Sequence, residues 1–81
     1  MKKILYFSAG WCGPCKMLGP IMESLSGQIN YEKIDVDQNQ DLSIKYNVRN
    51  IPTLILLKDG EAVNRMTGLQ PKQQILNFYN G

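Results

Sequence analysis

Eighty-one residues, 43% of them hydrophobic and 20% charged, suit one soluble globular domain spanning 1–81 and do not suit a disordered, fibrous or collagen-like chain. Nine Lys and Arg against seven Asp and Glu leave a net charge of +2, and the cations are scattered, so neither a nucleic-acid nor a membrane-surface footprint is expected. The apolar runs fall well short of the roughly 20 residues of a membrane helix, and the lack of any histidine excludes a Cys-His hydrolase mechanism.

The chain opens on MKKILYFSAGW, two lysines before an apolar stretch too short for the core of a secretory leader. Residues 2–8 read instead as a buried strand, and the expected compartment is the cytoplasm. From Pro14 to Leu25, Leu18, Ile21, Met22 and Leu25 recur at steps of three and four, one face of a helix. Pro20, inside that pattern, should kink the helix by withholding an N–H and crowding a carbonyl, and Gly27 offers a stop. Residues 30–36 form a second strand. A short polar helix follows from Asp37 to Tyr46, with Leu42 and Tyr46 on its inner face. The run 52–58 carries the clearest strand signal and ends at Asp59-Gly60, which predicts a hairpin into 61–67. Gly68 breaks that strand. Pro71 opens a last helix with Ile75, Leu76 and Tyr79 inward.

The order β-α-β-α-β-β-α makes an α/β fold: a four-stranded mixed sheet with three helices on its two faces. The first two strands should run parallel and the last two antiparallel. Met17, Met22 and Met66 read as filler in or near the core. Asp35, Asp37 and Asp41 are too spread for a calcium loop.

The only two cysteines lie in Trp11-Cys12-Gly13-Pro14-Cys15-Lys16, where the first strand gives way to the first helix. Free N–H groups and the positive end of the helix dipole favour an anion there, and a thiolate is the reactive form of cysteine. Cys15, one turn on, is within reach of a mixed disulfide on Cys12. The expected arrangement is an exposed Cys12 that attacks and a partly covered Cys15 that resolves. A purely structural disulfide would close too short a loop to restrain the unfolded chain much. A zinc site would need two further ligands from carboxylates or from a second chain.

WCGPCK, the interior Pro20, YEKIDVDQN, NIPTLILLKDGE and Gly68 together resemble the thioredoxin family, over residues 4–79 and in the family's order. The resemblance implies a thioredoxin-like fold and a protein-disulfide reductase. It makes Cys12 the nucleophile and Cys15 the resolving thiol, the Cys12–Cys15 disulfide the only redox group, and no bound cofactor or metal. It implies a cis bond before Pro52 and a substrate rim of Trp11, Gly13, Pro14, Ile51, Pro52 and Gly68. It places Lys33 behind the dithiol. The expected partners are disulfide-bearing proteins and thioredoxin reductase as electron donor, with the protein acting as a monomer.

Three departures accompany it. The family's usual leading strand and helix are missing, and the stretch between the CGPC helix and the second strand is short. Tyr6 also stands where the family commonly has a buried aspartate assigned to proton transfer. Tyr6 is then either core packing or, with Lys33, part of a proton path to Cys15. Two other readings stay open: a glutaredoxin-like enzyme recharged by glutathione, and a binding module that borrows the fold.

Overall fold

The strand Lys2–Ser8 (β1) alternates as its sequence requires in the computed structural model, which describes residues 1–81. Ile4 and Tyr6 point to one side and Leu5 and Phe7 to the other, and all four are buried. A strand apolar on both faces must lie inside a sheet. Its neighbours are Tyr31–Asp35 (β2) and Thr53–Lys58 (β3), with Glu61–Thr67 (β4) beyond, in the order β2-β1-β3-β4. The β1–β2 pair is parallel, from Ile4↔Tyr31 to Ser8↔Asp35. The β1–β3 and β3–β4 pairs are antiparallel, the latter with a register shift between Leu56 and Leu57.

Helices Gly13–Ser24 (α1) and Lys72–Asn80 (α3) cover one face of this sheet. Leu18, Met22 and Leu25 meet Ile4, Tyr6, Leu54 and Leu56 there, together with Ile75 and Phe78. The short helix Gln40–Lys45 (α2) lies on the other face, where Leu42, Tyr46 and Val48 pack on Leu5, Phe7, Ile34 and Ile55. Each fully buried Leu or Ile contributes about 1.5–3 kcal/mol relative to exposure. The β3–β4 hairpin turns at Asp59 (φ 53) and Gly60 (φ 87), the two positive angles a tight two-residue turn demands.

Several boundaries differ from the sequence expectation. α1 ends at Ser24 with Leu25 as its cap, and Leu25 and Ser26 donate to carbonyls three residues back, on Met22 and Glu23. That tightened last turn stops the helix, and Gly27 is not in the left-handed region. Pro20 lies within α1 without ending it. α2 is shorter than 37–46 because Asp35–Asn39 form their own turn. Within it Asp37 donates its N–H to Asp35 Oδ1 and Asn39 Nδ2 donates to the Asp35 carbonyl. Pro71 caps α3 from outside it, and Phe78 takes the inner position beside Ile75 while Leu76 and Tyr79 are half-buried at its flanks. Met17 is 62% exposed, so it is not core filler.

Candidate functional site

β1 delivers the chain to its end at Ser8, and a tight turn carries it into α1. The Cys12 N–H donates to the Ala9 carbonyl at 3.2 Å, which closes that turn. Cys12 has the extended backbone of an N-cap residue (φ −92, ψ 113) and Pro14 occupies the first helical turn, where its missing N–H is no loss. Caps are usually oxygens; here the cap is sulfur. The Cys15 N–H donates to Cys12 Sγ at 3.2 Å. Cys12 and Cys15 are joined by a disulfide, their Cα atoms 5.2 Å apart, which is ordinary disulfide spacing.

The expectation of an exposed Cys12 needs correction. Cys12 is 5% exposed and Cys15 3%, because Ala9, Val36 and Ile51 pack against the pair. What stands clear is the surround: Trp11 is 69% exposed, and Gly13 and Pro14 are also open to solvent. Access to the sulfur is therefore through a narrow window in an exposed rim.

The opposite side of that window is the loop before β3. The Ile51–Pro52 peptide is cis, and the Ile51 carbonyl oxygen lies 3.9 Å from Cys12 Sγ. Two hydrogen bonds fasten this loop. Gly68, with φ 84, donates its N–H to the Pro52 carbonyl at 2.9 Å, and the Thr53 hydroxyl donates to the Asn50 carbonyl. The structure thus brings Trp11, Cys12, Gly13, Pro14, Cys15, Ile51 and Pro52 to one end of the sheet and ties Gly68 to them through backbone.

Asp37 belongs to the same end, and sequence reasoning missed it. Its Oδ2 accepts from the Trp11 indole N–H at 2.9 Å, which fixes an otherwise free ring. The available signal was the parallel pairing of β1 and β2, whose C-terminal ends must emerge side by side. A groove of about 390 Å³ runs from Trp11 past Val36 and Ile51 to Ile44 and Val48 on the α2 side.

A second recess lies behind the dithiol. Ser8, Cys15, Lys16, Lys33 and Asp35 line a cleft of about 190 Å³. Lys33 and Cys15 thus line the same recess. Tyr6 does not point its hydroxyl hydrogen at sulfur: it donates to the Cys15 backbone carbonyl at 2.9 Å. Burial pushes the Tyr6 phenol above its usual value, so it stays neutral. No group of three or more His, Cys, Asp or Glu side chains gathers that could hold a metal ion, and no helix is long and apolar enough to cross a membrane.

A two-cysteine disulfide capping a helix, faced by a cis-proline loop on a mixed sheet, defines the class of thiol–disulfide oxidoreductases. The family model for thioredoxin matches residues 1–80. A thioredoxin of Staphylococcus epidermidis is 47% identical over 77 residues, covering 90% of this chain and 74% of its own. A thioredoxin of Bacillus subtilis is 46% identical over 78 residues, covering 91% and 75%. Among solved structures, a mutant thioredoxin of Halobacterium salinarum superposes with a TM-score of 0.93 at 43% identity, over 98% of this chain and 72% of that one. The chain belongs to the thioredoxin family, and it is a thiol–disulfide oxidoreductase acting as a protein-disulfide reductase.

Proposed function

We propose that Cys12 attacks disulfides of partner proteins and that Cys15 releases them. The observation that carries this reading is the Cys15 N–H directed at Cys12 Sγ from the first turn of α1. A hydrogen-bond donor and a helix N-terminus both favour the Cys12 thiolate over the thiol. The thiolate forms a mixed disulfide with one substrate sulfur and expels the other as a thiolate. Cys15 then attacks Cys12, the substrate leaves reduced, and the Cys12–Cys15 bond stores the oxidation.

The cis loop at Ile51–Pro52 presents backbone beside the reacting sulfur. Trp11, Gly13, Pro14 and Gly68 complete the rim that receives an extended substrate segment. Lys33 puts a positive charge near Cys15, and Tyr6 holds the Cys15 backbone in place. The protein works as a single-domain monomer in the cytoplasm, where it carries electrons for redox homeostasis and thioredoxin reductase recharges it.

The test has two parts. Cys15→Ser should accumulate a mixed disulfide through Cys12, and Cys12→Ser should abolish turnover. The Cys12–Cys15 reduction potential should fall near about −270 mV, whereas a value near about −120 mV would make the protein an oxidant and reverse the proposed direction. Recycling by glutathione alone, without a reductase, would displace the proposed electron donor.

A further inference from the structure

The resolving step requires a proton to leave Cys15, and neither Tyr6 nor Lys33 supplies an acceptor for it. Tyr6 is neutral and its hydroxyl hydrogen is donated to a carbonyl. Lys33 and Lys16 are cations, and the chain has no histidine. The cleft behind Cys15 holds one carboxylate, that of Asp35. The register puts it there: Ser8 pairs with Asp35 across the parallel β1–β2 ladder, and Tyr6 pairs with Lys33. Ile34 faces the α2 side, so Lys33 and Asp35, flanking it, face the α1 side with Cys15.

Only one oxygen of Asp35 has a protein donor, Oδ1, which accepts the Asp37 N–H at 2.8 Å. Oδ2 accepts from no protein group, and Asp35 lines a cleft of about 190 Å³, several times the space a water needs.

The geometry points to Asp35 as the acceptor of the Cys15 proton, reached through water in this cleft. The inference rests on the assignment of Cys15 as the resolving thiol. In the mixed disulfide the Cys15 S–H passes its proton through water to the Asp35 carboxylate. The Cys15 thiolate then attacks Cys12 Sγ, the Cys12–Cys15 bond forms, and the bond from Cys12 to the substrate sulfur breaks. The substrate sulfur leaves with the electron pair and takes up a proton from the carboxylic acid or from solvent. The charged and polar groups lining this cleft are Lys16 from α1, Lys33 from β2 and the Ser8 hydroxyl from β1, while the neutral Tyr6 hydroxyl is held by the Cys15 carbonyl and the Asp37 carboxylate by Trp11. The two ammonium groups in the cleft favour the thiolate that results. A carboxylate on β2 thus takes the place of one on β1.

Asp35→Asn is the informative variant, because asparagine keeps an oxygen for the Asp37 amide but cannot take the proton. Wild type and variant are loaded with a chromogenic mixed disulfide at Cys12, and release is followed from about pH 6 to pH 9. Release in the variant should slow by about 100-fold at the acid end, the lower end of the range for loss of a general base. The deficit should shrink as pH rises and Cys15 ionises unaided. Asp35→Glu should restore part of the rate, and Asp41→Asn, outside the cleft, should change nothing. Equal release at all pH values would overturn the proposal, as would a uniform slowing independent of pH. Loading at Cys12 is measured separately in Cys15→Ser. Failure there would sink the assignment of the two cysteines, whereas normal loading with unaltered release in Asp35→Asn would sink only the role of Asp35.

Discussion

Two Gly→Ala substitutions should move stability in opposite directions for reasons visible in the backbone alone. At Gly68 the added methyl would meet no heavy atom within 4 Å, so the cost is purely conformational, from φ 84. Left-handed backbone costs an L-residue about 1–2 kcal/mol. The loss of chain freedom in the unfolded state returns about 0.4–1 kcal/mol. Gly68→Ala should therefore lose about 1 kcal/mol net. Gly19 lies inside α1 at negative φ, and a methyl added there would meet no heavy atom within 4 Å beyond its chain neighbours and its own helical backbone. Gly19→Ala should gain at most about 0.5–1 kcal/mol, because Pro20 crowds a Cβ on the helical residue before it. In a domain of this size 1 kcal/mol shifts Tm by about 4–8 °C. Thermal and urea unfolding of the oxidised proteins would read both effects, with the disulfide intact so that redox state does not enter. A rise in Tm for Gly68→Ala, or a fall for Gly19→Ala, would refute the reasoning.

Tyr6→Phe should cost about 1 kcal/mol by removing the bond to the Cys15 carbonyl. Because burial raises the Tyr6 phenol, the native state holds its proton more tightly than the unfolded chain. The associated stability is whole below about pH 10 and declines as pH rises through the folded value; urea midpoints at about pH 8 and about pH 11 should therefore differ less in the Phe variant. Phe78→Ala should cost about 3 kcal/mol as a cavity in the α1–α3 core, measured by urea unfolding. Arg65→Ala should remove bonds to the Tyr46 and Asn47 carbonyls, and hydrogen exchange should speed up around α2 more than in β1. Reducing the disulfide should lower stability by no more than about 2 kcal/mol, since the loop closed from residue 12 to 15 is short.

The strands were legible because their signals are local. The apolar run of β1 and the Asp59-Gly60 turn leave few alternatives, and the structure has both where the residues imply. Helix ends were less legible. Gly27 looked like a stop, but the chain had already tightened at Leu25, a matter of which carbonyls remain free. Phe78 was overlooked because Ile75, Leu76 and Tyr79 already fit a helical face, and only packing against Leu54 and Leu56 decides which of them turns fully inward. The dithiol was legible from two cysteines three apart at a strand–helix junction. The low exposure of Cys12 was not, since Val36 and Ile51, which cover it, are 24 and 39 positions away. Asp35 and Asp37 gained meaning only when the parallel register set β2 beside β1.

The sulfur cap of α1 has a spectroscopic corollary. One backbone amide, that of Cys15, shares its hydrogen with the atom whose bonding changes at every turnover. Its nitrogen and proton resonances should record whether that sulfur is a thiolate, linked to a partner or closed on its neighbour. The helix thus carries its own gauge of the redox cycle, readable without attaching a reporter group.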